Sequence, residues 1–306
     1  MLIREALAQG SADLKFAEIS SPSLDASILL SHILKIDKAA LIVKGNEKIK
    51  EKDTEAFCSL IEKRAMGECV AYLIGKKEFR GLEFEVNKSV LVPRPDTETL
   101  VEAAIEILTK EFHTETHRTY GSRHGGFNSR VLDLCTGSGV VIIALKNEIQ
   151  QIEAHATDIS LEALETAKTN ASRLLPKEQI KFLHGDLFHA IPDSFLRASV
   201  PQYELFSLIT SNPPYIPSAE IETLSPEVQN EPRLALDGGD TGLDIIKRII
   251  EDSPDYLQSN GRLLLEADPR QMNEITILLA KKGFKDIQLY CDLTGAERVI
   301  GGRIEK

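Results

Sequence analysis

Apolar residues in roughly the first seventy positions recur at helical spacing. Across "SLDASILLSHIL" the pattern puts Leu24, Ile28, Leu29, His32 and Ile33 on one face, with Asp25 close to the N-terminus it predicts. "KEKDTEAFCSLIEKRAMG" repeats this with Phe57, Leu60 and Ile61, and Gly67 closes it. No strand alternation interrupts the stretch, so residues 1–71 are expected to form a small all-helical domain. The period then changes. In "YLIGKKEFRGLEFEVNKSVLVPRP", Phe79, Leu82, Phe84 and Val86 fit strands about a Gly81 turn, and a short strand "SVLV" is expected to end at Pro93. Residues 72–95 thus read as a β-hairpin linker. "DTETLVEAAIEILTKEF" (96–112) returns to helix, and the Gly/Ser/His-rich stretch 113–129 reads as a polar, flexible loop.

From residue 130 the chain alternates. "RVLDL", "EAHATD", "IKFLHG", "FSLITS", "GRLLLEA" and "IQLYCD" are candidate strands, with amphipathic helices such as "SLEALETAKTNAS" and "DIIKRIIEDS" between them. Alternation at this spacing predicts an α/β fold with a Rossmann-like, mostly parallel, doubly wound sheet over residues 96–306. No internal repeat is evident.

Composition narrows the setting. The chain has 306 residues, 42% hydrophobic and 27% charged, with a formal charge of −11. Residues 1–85 carry 13 basic and 14 acidic side chains, so nearly all the negative charge lies beyond them. An acidic sheet domain is a poor match for a duplex phosphate backbone, which argues against direct nucleic-acid binding. Four widely spaced cysteines, Cys58, Cys69, Cys135 and Cys291, form no Cys-x-x-Cys pair and read as free thiols in a reducing compartment. Neither a signal-peptide core nor a membrane-length apolar run is present, so a soluble, cytoplasmic protein is the default expectation; a monomer is the simplest expectation for its oligomeric state.

Two stretches carry candidate chemistry. "VLDLCTGSGVVIIAL" (131–145) is an apolar strand, a tight glycine turn and an apolar helix. In an open α/β sheet such a loop faces the ligand crevice. Gly137 and Gly139 permit close approach to the backbone, yet Ile142 stands where a dinucleotide fingerprint needs Gly or Ala, which argues against a pyrophosphate. Asp158, nineteen residues after Gly139, suits both hydroxyls of a ribose; it equally suits a helix N-cap, a role open to Ser160 as well. Asp186 in "HGD" reads either as a ligand contact or as a solvated loop carboxylate. Together they imply a ribose and a flat base.

The second stretch is "SNPPYIPSAE" (211–220). Two prolines after Asn212 stiffen an extended segment and withhold its backbone donors. Alone this reads as a strand terminator with Tyr215 in the core. Beside the glycine loop it reads as a clamp for a planar nitrogen, offering an amide side chain, bare carbonyls and one aromatic ring.

These residues resemble the class I S-adenosylmethionine-dependent methyltransferases that act on amide or amine nitrogens. "RAMGECVAYLIGKKEFRGLEFEV", "VLVPRPDTETLVE", "EPRLALDGGDTGLD" and "GAERVIGGR" narrow the resemblance to the release factor glutamine-N5 methyltransferase (PrmC/HemK) family. The resemblance implies transfer of a methyl group from S-adenosyl-L-methionine, leaving S-adenosyl-L-homocysteine, to the glutamine of the Gly-Gly-Gln motif in class 1 peptide chain release factors. It assigns Cys135, Thr136, Gly137, Ser138 and Gly139 to the methionine side of the cofactor, Asp158 to its ribose, and Asp186 and Leu187 to adenine. It assigns catalysis and substrate binding to Asn212, Pro213, Pro214 and Tyr215, with Asn212 also at the cofactor, and substrate recognition to the helical domain.

The acceptor chemistry fits the clamp. A carboxamide nitrogen is a weak nucleophile because its lone pair is delocalised. If the Asn212 side-chain oxygen and the Pro213 carbonyl each accept one amide N–H, the nitrogen becomes more pyramidal, and the carbonyl dipoles stabilise positive charge arriving there. Arg94 braces the pocket or is a surface arginine, and Glu231 with Arg233 supports the loop or forms a solvated pair. The chain departs from the family at Cys135, usually glycine, at Asp96, usually Glu, and at Ala267–Asp268, where glycine is expected. No metal site is expected: no cysteine or carboxylate pattern accompanies His113, His117 and His124, and His32, His155, His184 and His189 read as packing or surface residues. Rival readings are a ribosomal-protein glutamine methyltransferase, an adenine-N6 DNA methyltransferase acting on a flipped base, and a non-catalytic cofactor-binding module.

Overall fold

The computed structural model describes residues 1–116, 129–176, 179–192 and 205–306. They form two compact units: Met1–Lys76 with Val86–Lys88 and Leu224–Glu231, and Lys77–Glu85 with Ser89–Thr223 and Pro232–Lys306.

The first unit holds α1 (Ile3–Phe16), α2 (Pro22–Leu34), α3 (Lys38–Val43), α4 (Glu51–Ala65) and α5 (Val70–Ile74). Leu14, Leu29, Leu30, Leu41, Phe57 and Ile61 form its core. The phase expected for α2 needs correcting. Leu24 is 49% exposed, whereas Asp25, Ala26, Leu29 and Leu30 are buried. Asp25 tolerates burial because Arg64 Nε donates to its Oδ2 at 2.7 Å and Ser21 Oγ to its Oδ1 at 2.8 Å. Arg64, 1% exposed, also donates to the Glu68 carbonyl and to Glu227, so a residue from the distant 224–231 segment completes the network.

In the second unit β1 (Lys76–Phe79) and β2 (Leu82–Glu85) form a hairpin turned by Arg80 and Gly81, both at positive φ, as a two-residue connection demands. Phe79 and Phe84 meet edge to face, with ring centroids 6.1 Å apart, and join the core of α6 (Glu98–Thr116). The strand expected at "SVLV" is absent. Val90 and Val92 are buried there, but the segment runs without a ladder into Pro93. Helix α6 runs four residues past its expected end, and residues 117–128 of the expected loop, with His117 and His124, lie outside the described residues, as does the His113 side chain.

The main sheet is built from β3 (Arg130–Leu134), β4 (Glu153–Asp158), β5 (Ile180–His184), β6 (Phe206–Ser211), β7 (Leu257–Glu266), β8 (Phe284–Cys291) and β9 (Glu297–Ile304). Its order is β5-β4-β3-β6-β7-β9-β8. The first five are parallel and β9 pairs antiparallel with both β7 and β8. Helices α7 (Val140–Glu148) and α8 (Leu161–Leu174) pack with α6 on one face. Helices α10 (Asp244–Tyr256) and α11 (Met272–Lys282) cover the other, and α9 (Pro226–Gln229) belongs to the helical unit. His155 is a core residue, edge to face with Phe206 at 5.3 Å, and burial lowers its pKa to about 4. Strand β9 was not among the expected strands. Its Gly301 and Gly302 depress strand propensity, but a Cβ at Gly301 would lie 2.8 Å from the Leu263 carbonyl, so close backbone approach requires the glycine. The order reverses at β3, which puts a switch-point crevice at the carboxyl ends of β3, β4 and β6.

Candidate active site

The glycine loop leaves β3 and enters α7 through Cys135, Gly137 and Gly139, all at positive φ. The two glycines do different things. A Cβ at Gly139 would press within 2.8 Å of Ile143 Cδ1, so this residue lets α7 pack, whereas beside Gly137 nothing lies within 4 Å. Gly137 is the bare face of the loop. Cys135, at φ 57°, occupies a region that favours glycine, at a cost of about 1 kcal/mol. Burial, reinforced by the negative charge of Asp158, drives its thiol pKa up, which suppresses the nucleophilic thiolate.

Asp158 ends β4, the strand beside β3. Its Oδ2 accepts the Gly137 N–H at 2.8 Å and its Oδ1 the Ser160 N–H at 2.9 Å, while burial raises its pKa. Ser160 is the N-cap of α8, accepting the Ala163 N–H at 3.1 Å. Beneath the loop, Asp133 is fully buried and accepts from Thr136 and Thr210 hydroxyls at 2.7 and 2.8 Å. Desolvation still raises its carboxyl to about 7. Asn170 on α8 secures the loop from outside, donating to the Ser138 and Glu85 carbonyls at 3.0 Å each.

Asp186 follows β5 and pairs with Arg248 of α10 at 2.6 Å. Leu187 beside it is buried at φ 49°.

The Asn-Pro-Pro-Tyr loop leaves β6 in extended form and is held from behind by "LDGGDTG". Ile216 N–H donates to the Leu236 carbonyl at 3.0 Å, and Gly238 N–H returns to the Ile216 carbonyl at 2.9 Å. A Cβ at Gly238 would lie 2.8 Å from the Pro214 carbonyl, and one at Gly242 would overlap the Tyr215 carbonyl. Gln271 Nε2 donates to that same carbonyl at 2.9 Å. On its other side, Asn212 Nδ2 donates to Thr97 Oγ1 at 3.1 Å. Glu266, the last residue of β7, is 1% exposed, and burial lifts its pKa to about 7 although Thr97 and Asn212 favour the charged form.

A cleft of about 330 Å³ brings Arg94, Gly137, Asp158, Asp186, Asn212 and Pro214 together. Cys135, Thr136, Ser138 and Leu187 also line it. Gly139, Pro213 and Tyr215 do not: Gly139 and Pro213 are buried, and Tyr215 packs against the core beneath α10 and α11. Arg233 is exposed and pairs with Asp237. Asp133, Thr97, Arg248, Gly242 and Glu266 were not singled out from the sequence. An acid ending an otherwise apolar strand, as in "RLLLE", is the signal that points to Glu266. Among the described residues no group of three or more His, Cys, Asp or Glu side chains is arranged to hold a metal ion, and no helix is long and apolar enough to cross a membrane.

Residues 5–75 match the model of the PrmC N-terminal domain and residues 101–225 that of the methyltransferase small domain. Over 99% of both chains, the sequence is 35% identical to a release factor glutamine methyltransferase of Deinococcus radiodurans. A protein of that name from Bradyrhizobium diazoefficiens is 36% identical over 95% of this chain and 91% of its own, and one from Clostridium botulinum 33% over 99% of both. Among solved structures, the hMettl16 catalytic domain in complex with MAT2A 3′UTR hairpin 6 shares the fold, with a TM-score of 0.53 at 15% identity over 80% of this chain and 81% of that one.

Proposed function

The chain belongs to the release factor glutamine methyltransferase family, and from that premise we propose how its residues carry the reaction. It is a protein-glutamine methyltransferase acting on a peptide chain release factor, and the ribosomal-protein and DNA alternatives are not favoured by these relatives. The finer reading is that the acceptor is the side-chain amide of the glutamine in a Gly-Gly-Gln motif of class 1 release factors, recognised by the helical unit. The setting is the cytoplasm and the enzyme works as a monomer.

One observation carries this reading: Gly137, Asp158 and Asn212 line a single cleft at the switch point of the sheet. The residues fit S-adenosyl-L-methionine. Open space beside Gly137 admits a ligand to the backbone, and the Asp158 oxygens retain lone pairs for ribose hydroxyls beyond the N–H groups they hold. Cys135, Thr136, Ser138 and Gly139 shape the loop at the methionine side, and Asp186 with Leu187 borders the base. When bound, this cofactor supplies an electrophilic methyl group.

The chain's own contribution is to hold the acceptor. Asn212 Oδ1 and the Pro213 carbonyl accept the two glutamine N–H groups, Pro214 keeps the segment stiff, and Tyr215 anchors it to the core beneath. Fixed acceptor dipoles stabilise positive charge arriving on the nitrogen without reorganising, and alignment removes much of the entropic barrier.

A radiolabelled methyl-transfer assay with a release factor, a ribosomal protein and an oligonucleotide tests the reading. Label should enter the release factor, disappear when its Gly-Gly-Gln glutamine is replaced, and fall at least a hundredfold with Asn212→Ala, about the loss of one transition-state contact. Label entering only one of the other substrates would overturn it.

A further inference from the structure

Behind the loop lies a buried carboxylate that the clamp as described does not use. Ser211 of β6 is in register with Leu265 of β7, so Glu266 is delivered beside Asn212, one residue further along each strand. Glu266 is 1% exposed and Thr97 2% exposed. The Glu266 Oε2 atom has no hydrogen-bond partner among the described residues, and Thr97 and Asn212 are the polar side chains that favour its charged form. Arg298 also favours that form, whereas Asp96, which Arg298 contacts at 3.1 Å, opposes it; the Tyr215 hydroxyl shares this field.

The direction of the hydrogen bonds follows from what each group offers. A carboxylate has lone pairs only. Thr97 has a single proton, and a buried carboxylate is where it is most stabilising. Its lone pairs then face Asn212 and accept the Nδ2–H, as the 3.1 Å contact shows. Turned the other way, Asn212 would set Oδ1 against an oxygen whose proton is committed and a carboxylate that repels it. The inward group is therefore the amino group, and Oδ1 faces the cleft.

Resting on the reading of Asn212 as the acceptor that grips the substrate amide, we propose that Glu266, acting through Thr97, is a positioning residue that fixes the orientation of the Asn212 amide and so selects a substrate presenting N–H donors. The selectivity comes from polarity rather than shape. An ester or carboxylate isostere of glutamine presents Asn212 Oδ1 with a lone pair and is rejected, since a buried acceptor left facing an acceptor is costly.

The test uses Thr97→Val, which keeps the volume and removes the hydroxyl, Thr97→Ser, which restores it, and Glu266→Gln, which removes the charge. Thr97→Val should lower kcat for release-factor methylation about ten- to hundredfold with little change in cofactor Kd by calorimetry, and Thr97→Ser should recover most of it. The wild-type rate should rise with pH near 7, and Glu266→Gln should lower kcat and flatten that rise. An unchanged kcat in Thr97→Val, an equal loss in Thr97→Ser, or a Glu266→Gln enzyme with wild-type rate and pH profile would each overturn the proposal. The side-chain amide resonance of Asn212, assigned by its absence in Asn212→Asp, gives a readout without substrate. One of its protons should lie downfield in the wild type and in Thr97→Ser and lose that shift in Thr97→Val. A resonance that ignores Thr97→Val sinks the positioning role even if release-factor methylation stands. A wild type that methylates no release factor sinks the functional reading while the resonance still reports on the orientation.

Discussion

Asp158 holds the N–H of Gly137 at 2.8 Å, so the carboxylate proposed to bind the ribose also sets the shape of the glycine loop. One side chain ties together two halves of the cleft. Asp158→Ala is expected to weaken cofactor binding by about 1.5–3 kcal/mol, the scale of hydrogen bonds to a charged group, or roughly ten- to hundredfold in Kd. The fold should survive, because the cap of α8 is Ser160. Calorimetric titration with S-adenosyl-L-homocysteine measures the first, and far-ultraviolet circular dichroism checks the second.

Gly242→Ala should disable the Asn-Pro-Pro-Tyr loop without touching the cofactor loop. Its φ is +72°, and a Cβ would collide with the Tyr215 carbonyl and come within 2.5 Å of Gln271 Nε2. The backbone at 215 must move, taking Asn212 with it. A loss of about 1–3 kcal/mol in stability should accompany a fall in kcat much larger than any change in cofactor Kd. Thermal melts and steady-state rates on the same preparation separate the two.

Arg64→Ala should destabilise the helical unit by about 3–5 kcal/mol, because it strands Asp25 as a buried, unpaired charge. Hydrogen exchange should rise across α2 and α4 while the strands of the main sheet keep their protection. Arg64→Leu combined with Asp25→Asn should recover much of the loss, since it removes both charges together. Equal protection of α2 and α4 in Arg64→Ala and the wild type would refute the role of the pair.

Asp133 predicts a pH effect of unusual sign. Its carboxyl is raised from 3.8 to about 7 by burial, with Asp158 adding repulsion. Between those values the folded protein keeps a proton that the unfolded chain has lost. Stability from this group is therefore greatest at low pH and declines as pH rises through that window. Asp133→Asn removes the penalty, so its Tm should exceed that of the wild type at pH 8, and the gap should close by pH 4. Differential scanning calorimetry at both pH values decides it.

Much of this architecture was legible in the residue pattern, and the exceptions have physical causes. Period-two and period-3.6 stretches found the parallel strands and the helices flanking them. Strand β9 escaped because Gly301 and Gly302 look like loop residues until β7 is brought close enough to exclude a side chain. The buried face of α2 was misphased because Asp25 reads as a surface residue unless Arg64, 39 positions later, neutralises it. In the site, Gly137 and Asp158 were readable because loop and strand end each carry a local signature. Thr97, Gly242 and Glu266 were not, since their roles exist only once the fold closes: Thr97 meets Asn212 across 115 positions. Cys135 shows the converse, for its left-handed backbone explains why glycine is the usual occupant there.

The placement of β9 between β7 and β8 bears on biogenesis. During synthesis β8 leaves the ribosome first and has no neighbour to pair with until residues 297–304 follow. Until then β7 presents an open edge, a template for strands of other chains. Closure must wait for this late insertion, so a released chain truncated between residues 291 and 297 should be captured by chaperones far more than the 306-residue chain.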